Sequence, residues 1–195
     1  MKRLVDIVGA SVGIAIMLPF LPLIAFMIKA GSPGPVFVRL KRVSQGKIFD
    51  LYKFRTMRAD AARMKATLLA QNERADGPFF KMRHDPRITG AGKMLRRFRI
   101  DEWPQFVNVL KDDMSLVGPR PYEPEEVKAY PPEYRHLPEA KAGITGLSQI
   151  SGSSALSFRK TLELDDYYLK NRSALLDMRI LGKTAAIALF DHTAV

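Results

Sequence analysis

The sequence predicts a mostly helical α+β protein: an N-terminal membrane helix–break–helix, then one domain with a small β-hairpin and interfacial amphipathic helices. Three observations lead there. Residues 7–28 form an uncharged stretch bounded by Asp6 and Lys29, with Pro19 and Pro22 just past its middle. Residues 36–42 and 48–54 are two short β-like runs on either side of Ser44-Gln45-Gly46-Lys47. Helical patterns over 156–171 and 173–190 close the chain.

Roughly 20 apolar residues span a bilayer as a helix. A secretory leader would have a shorter apolar region and a small-residue cleavage site. This stretch shows no such site, so it is expected to be retained. Pro19 and Pro22 each lack an N–H and crowd the carbonyl four residues back, which kinks or breaks a helix. Lys2 and Arg3 precede the stretch, and Lys29, Arg39, Lys41 and Arg42 follow it. Cationic flanks prefer the cytoplasm. A re-entrant segment that enters and leaves by one face satisfies both flanks; a proline-kinked single span is the alternative. The division that follows is 1–30 for the membrane hairpin and 31–195 for the domain behind it.

Gly31-Ser32-Pro33-Gly34-Pro35 reads as a turn cluster, and the two β-like runs as a hairpin. Over 56–71 the pattern turns helical, with Met57, Ala61, Met64 and Leu68 on one stripe and Arg58, Arg63 and Lys65 elsewhere. Such a basic amphipathic helix lies in a membrane interface or packs on a protein core; the neighbouring membrane segment favours the interface. Residues 72–92 are loop-rich and 104–111 form a short helix. Gly118-Pro119-Arg120-Pro121 makes a rigid turn, and 121–138 reads as irregular surface.

Composition narrows the function. Of 195 residues, 47% are hydrophobic and 26% charged, which suits one globular domain rather than a disordered chain. With no cysteine, disulfides and thiolate zinc sites are excluded. His84, His136 and His192 lack metal-ligand spacing. A net charge of +11 calls for a polyanionic partner: nucleic acid, an anionic membrane or phosphorylated substrates. Charge alone does not choose, but the membrane segment argues against nucleic acid.

Asp101 and Glu102 are adjacent acids just before Pro104, which favours the first turn of a helix. Acids there are routine caps, and backbone donors at a helix start would keep Asp101 ionised. Arg96, Arg97 and Arg99 crowd the same segment, and Arg120 sits on the proline-braced turn. A cap does not need so many guanidiniums; a phosphate site does, because guanidinium forks match phosphate oxygens in pairs. A carboxylate among them can attack phosphorus. A second can help hold Mg²⁺, which takes one or two carboxylates plus substrate phosphates.

The chain resembles the small monotopic phosphoglycosyl transferases, a bacterial sugar transferase family that starts exopolysaccharide, O-antigen and N-glycan assembly. The resemblance begins at Lys2-Arg3-Leu4-Val5-Asp6 and continues through Lys53-Phe54-Arg55-Thr56-Met57 and Asp85-Pro86-Arg87-Ile88-Thr89. Asp101-Glu102-Trp103-Pro104-Gln105, Asn108-Val109-Leu110-Lys111 and Asp113-Met114-Ser115-Leu116-Val117-Gly118-Pro119-Arg120-Pro121 follow. Gly143-Ile144-Thr145-Gly146 and Leu164-Asp165-Asp166-Tyr167-Tyr168 complete it. In order, these blocks are highly specific.

The resemblance implies a UDP-sugar donor, a polyprenyl (undecaprenyl) phosphate acceptor and membrane lipids as partners, with no nucleic acid. Asp101 would be the nucleophile that takes the phosphosugar and releases UMP, Glu102 its acidic partner, and Mg²⁺ would bind at this pair. Arg96 and Arg120 would contact the donor, with Lys53, Arg55, Thr56, Arg87, Pro119 and Pro121 around it. Lys2, Arg3 and Asp6 would seat the re-entrant helix at the headgroup layer, with Pro19 and Pro22 breaking it. The protein would be monotopic at the cytoplasmic face of the bacterial inner membrane, without the extra spanning helices and further domain of larger relatives. Three departures stand out. Leu18 precedes Pro19 where many members have Ser, Ala142 stands where many have Pro, and Ser153-Ser154 replace the usual Arg-Asn.

Overall fold

Residues 2–31 are helical throughout. In the computed structural model, which describes residues 1–74, 76–82, 84–152 and 155–190, helix α1 (Lys2–Met17) passes through a 3₁₀ turn at Leu18–Phe20 into α2 (Leu21–Gly31). Pro19 lies in the 3₁₀ turn and Pro22 in the first turn of α2, where its missing N–H costs least. The 30-residue stretch is long and apolar enough to cross a membrane. Its outer face leaves Leu4, Val8, Val12, Ile16, Leu23 and Phe26 exposed, while Asp6, Ala10, Met17, Ile24 and Ile28 are buried against the rest of the protein.

Two glycines allow that contact. A Cβ on Gly13 would meet the Phe106 ring at 2.5 Å, and one on Gly9 would meet Leu116 Cδ1 at 2.5 Å. Helix α1 therefore lies directly on α5 (Gln105–Leu110) and on strand β3 (Ser115–Val117). Polar residues bolt its start. Lys2 Nζ donates to Asp177 at 2.6 Å and to the Val117 carbonyl at 3.0 Å. Arg3 donates to the Val109 and Leu110 carbonyls at 2.6 and 2.9 Å. Buried Asp6 accepts from Ser115 Oγ at 2.9 Å and from the Leu116 N–H at 2.8 Å. All three were expected to seat the helix at the headgroup layer; in the fold they also bond it to the rest of the protein. At the other end, Arg55 donates to the Ser32 and Pro33 carbonyls. Both ends of the apolar stretch are thus tied to one domain.

The hairpin pairs β1 (Phe37–Ser44) with β2 (Lys47–Phe54) in full antiparallel register. Gln45 and Gly46 both have positive φ, the two-residue turn whose twist matches the strands. Fully buried Asn108 hooks β2 from behind: its amide accepts from the Tyr52 N–H at 2.9 Å and donates to the Asp50 carbonyl at 2.7 Å.

The middle of the chain differs from expectation. The helix expected over 56–71 starts later, as α3 (Ala61–Leu68) with a 3₁₀ turn at Leu69–Gln71. Thr56 is buried and Met57 bridges Ile88, so these residues are drawn into the core edge. Leu68 is buried and Ala61 and Met64 are half-buried, so the apolar stripe is turned into the protein rather than left bare for lipid. Helix α4 (Gly90–Arg97), whose first three residues fall in the stretch read as loop-rich, is capped by Thr89 Oγ1, which accepts from the Gly92 N–H at 2.9 Å. A Cβ on Gly92 would collide with the Thr56 carbonyl, so this glycine is a packing contact.

Residues 121–138 are not irregular surface. They contain α6 (Pro124–Lys128), closed by a capping box between Glu123 and Glu126, and they bury Tyr122, Tyr130, Tyr134 and Leu137 against Phe158 and Leu162. Strand β3 pairs in parallel with β4 (Gly143–Thr145). Helices α7 (Leu147–Ile150), α8 (Phe158–Asn171) and α9 (Ala174–Phe190) follow. One apolar cluster joins Met17, Ile24 and Ile28 to Phe54, Leu95, Ile100 and Trp103, seating the apolar helix against the segment that carries Asp101 and Glu102.

Candidate active site

Asp101 and Glu102 lie in a 3₁₀ turn, Ile100–Glu102, entered through Arg99 in the left-handed region. Pro104 caps α5 one step later, so the acids stand before the helix rather than in its first turn. Among the described residues, the hydrogen-bond donor to Asp101 is a side chain, not a helix-start N–H: Lys53, from the end of β2. Its ammonium donates to Glu102 Oε1 at 2.9 Å and to Asp101 Oδ2 at 3.3 Å, bridging the pair. The 3₁₀ turn in the apolar helix lies beside them: Phe20 meets Trp103 edge to face, ring centres 6.3 Å apart.

The two acids differ in charge behaviour. Burial pushes the Asp101 carboxyl up, Lys53 offsets only part of this, and the Glu102 charge adds to the rise. Burial works the same way on Glu102, but there Lys53 prevails and holds the carboxyl below its ordinary range. Burial opposes the Lys53 charge, yet Glu102 and Asp101 outweigh it and raise its pKa. Environments that push paired acids apart divide their roles. Here Lys53 favours the Glu102 anion, and Asp101 is the more basic of the two carboxylates.

Arginines surround the pair. Arg96 favours the ionised form of Asp101 through space, and Arg99 and Arg120 do the same for Glu102. Arg96 is held by Thr56, whose Oγ1 accepts from its Nε at 3.0 Å. Lys53, Thr56, Arg96 and Arg120, with Pro119 and Pro121 bracing the last, are therefore gathered around the acids. Arg55 and Arg87 are not. Arg55 is spent on the loop after α2, and Arg87 is buried in a pair with Asp85 at 2.6 Å, with Phe80 under its guanidinium. Their donors are committed to structure. Ser153 and Ser154 lie outside the described residues.

On its other side, Arg120 borders an open depression shared with Arg74, Phe79, Lys81, Ser148 and Gln149. A residue the sequence did not single out supports this edge. Asp165, fully buried in α8, accepts from Ser148 Oγ at 2.7 Å, Tyr122 Oη at 2.8 Å and, at a longer 3.4 Å, the Arg120 N–H. Its motif was visible, but its partners come from three elements with no spacing to reveal them.

No group of three or more acidic or histidine side chains is arranged to hold a metal among the described residues. The acid pair alone matches Mg²⁺ only if substrate phosphates and water complete its shell.

A family model described as bacterial sugar transferase matches residues 1–191. The chain belongs to the bacterial sugar transferase family. Within that family it is similar to the galactosyl transferase CpsE of Streptococcus agalactiae serotype III, with 41% identity over 195 residues, 99% of this chain and 43% of the relative. An undecaprenyl-phosphate galactose phosphotransferase of Salmonella typhimurium is 37% identical over 193 residues, 97% of this chain and 40% of the relative. The exopolysaccharide production protein ExoY of Sinorhizobium fredii is 32% identical over 187 residues, covering 94% and 83%. The chain thus spans less than half of the first two relatives and most of the third.

Proposed function

We propose that this chain transfers a sugar 1-phosphate from a UDP-sugar to undecaprenyl phosphate, initiating glycoconjugate or exopolysaccharide assembly at the cytoplasmic face of a bacterial inner membrane. The observation that carries the reading is the Lys53-bridged acid pair, ringed by arginines, beside the break of an apolar helix. A water-soluble diphosphate and a membrane-borne phosphate can both reach such a place. The Salmonella relative is named for this type of transfer to undecaprenyl phosphate.

In the first step the Asp101 carboxylate attacks the phosphorus bonded to the sugar. The bond from that phosphorus to the bridging oxygen breaks, UMP leaves with that oxygen, and an acyl phosphate joining the Asp101 carboxyl to the sugar phosphate remains. In the second step a phosphate oxygen of the acceptor attacks the same phosphorus and the carboxylate leaves, giving a polyprenyl diphosphosugar. Arg120 and Arg96 hold the donor phosphates, and their charge stabilises the oxygens that gain negative character. Lys53 keeps Asp101 ionised, and Glu102 keeps Lys53 in place. Mg²⁺, held by Asp101 and Glu102 with the diphosphate, would supply further charge neutralisation.

Incubation with a panel of UDP-sugars and undecaprenyl phosphate is expected to release UMP with at least one donor; no release with any would overturn the reading. Arg120→Lys keeps the charge but loses the two-pronged fork. We expect it to lower turnover about tenfold or more at unchanged thermal stability. Wild-type kinetics in this variant would remove Arg120 from the donor site.

The same reading makes the apolar helix re-entrant. Lys2 and Arg3 at its start and Ser32 and Pro33 after its end are all bound to one domain. A straight 30-residue helix is about 45 Å long, so a span would carry one end across the bilayer and away from that domain. Single cysteines at positions 2 and 47 are expected to label together with an impermeant reagent, both in inverted vesicles and neither in right-side-out ones. Labelling from opposite sides would mean a span.

A further inference from the structure

Pro119 and Pro121 remove the backbone donors on both sides of Arg120, because proline has no N–H. The Arg120 N–H is the one donor left in that triplet, and it points at Asp165 Oδ2. The turn is fixed around this contact: the Gly118 N–H donates to the Thr145 carbonyl at 2.9 Å and the Gly143 N–H to the Pro119 carbonyl at 2.8 Å. The Arg120 side chain, by contrast, is exposed. A rigid backbone thus presents an exposed guanidinium, over the Phe79 ring with its carbon 5.9 Å from the ring centre, between the acid pair and the open depression.

Asp165 is an odd choice for packing alone. Its three donors are a hydroxyl, a phenol and an amide, all neutral, and burial pushes its carboxyl up to about 6 against their pull. An asparagine would occupy the same volume at lower solvation cost. What the carboxylate adds is a second acceptor oxygen. Oδ1 takes Ser148 of α7, while Oδ2 takes both Tyr122 and Arg120, two and zero residues from the guanidinium that matters. With one oxygen replaced by an NH₂ donor, one of these two sides must let go.

We infer that Asp165 is a positioning residue for the transfer reaction: it fixes the Arg120 turn from within the core so that the guanidinium meets the donor phosphates. The inference rests on the reading of the reaction given above. Asp165 touches no substrate and acts only through Arg120, and that is what separates it from a residue of the core.

The test is a double-mutant cycle on the full chain in lipid nanodiscs, with UMP release read against UDP-sugar and undecaprenyl phosphate. Asp165→Asn is expected to lower kcat/KM about tenfold or more, mostly through KM for the UDP-sugar, while its cost in an Arg120→Ala background is less than about twofold. An equal loss in both backgrounds, or no loss in either, overturns the inference. Should Asp165→Asn fold poorly, Tyr122→Phe removes one donor and leaves the carboxylate; it is expected to show the same dependence on Arg120 at smaller size, and independence from Arg120 overturns the inference. If the wild-type protein releases no UMP from any donor, the reaction reading fails by itself. Positioning is then read from phenylglyoxal labelling of Arg120 by peptide mass spectrometry. A severalfold change of labelling rate in Asp165→Asn, or in Tyr122→Phe, supports the inference, and identical rates overturn it.

Discussion

Asp101→Asn is expected to release no UMP from a UDP-sugar and to carry no sugar phosphate in its intact mass. The wild-type protein, given donor and Mg²⁺ without acceptor, is expected to gain the mass of one sugar phosphate. The amide keeps the shape of the side chain and one acceptor for Lys53, so the 3₁₀ turn at Ile100–Glu102 should persist. It cannot act as the anionic nucleophile, and removing a nucleophile costs about a thousandfold or more in turnover. Glu102→Gln tests the division of labour. It loosens Lys53 but leaves the attacking carboxylate, so the adduct should still form, more slowly. Initial rates with both substrates varied should give parallel lines, as a two-step exchange requires. Intersecting lines, together with no adduct from donor alone, would mean that the lipid phosphate attacks the donor directly while Asp101 only holds the cation.

The parts of this arrangement that local chemistry dictates were legible in the sequence. Ser44-Gln45-Gly46-Lys47 between two β-like runs suits a hairpin loop, and the hairpin forms there, with the strands running on to Ser44 and from Lys47 so that only Gln45 and Gly46 turn. Pro19 and Pro22 fall at the 3₁₀ turn that joins α1 to α2, and the acid pair has Arg96, Arg99 and Arg120 within electrostatic reach. What stayed hidden depends on contacts between distant elements. Strands β3 and β4 are three residues each, too short for alternation to show. Gly90 and Gly92 read as loop, yet Gly92 is small because α4 presses on the Thr56 carbonyl. The prolines of 121–138 suggested surface, but Pro124 and Pro132 sit in first helical turns, and Tyr122, Tyr130 and Tyr134 around them fill a core. Arg55 and Arg87 were expected at the site only because their motifs resemble the family's. Only the folded chain reveals that their guanidiniums are already in use.

Lys53→Met should be the most disruptive change near the site that leaves both acids intact. The ammonium is the one side-chain donor shared by Asp101 and Glu102 among the described residues. Methionine retains much of the stem but leaves two adjacent, largely buried carboxylates without it. Removing one partner of a buried ion pair costs about 3–5 kcal/mol. Because the Glu102 side chain is 32% exposed, water screens part of that, and we expect about 3 kcal/mol. The pH dependence has a definite sign. In the wild-type protein Glu102 is held low mainly by Lys53, so it contributes stability above its unfolded pKa that is lost as pH falls through the lower folded value. Asp101, already raised by burial, does the opposite and loses stability as pH rises through its folded pKa. Without Lys53 both carboxyls are raised, so both lose stability with rising pH. The gap between Lys53→Met and wild type should therefore be small near pH 4 and widen towards pH 7, as chemical denaturation across that range would show. Activity should follow. Asp101 attacks only when ionised, so the acidic limb of kcat/KM should move to higher pH in Lys53→Met and return towards wild type in Lys53→Arg, which restores the charge. An unshifted limb, with stability loss independent of pH, would mean that Lys53 fills space beside the acids and does not govern their ionisation.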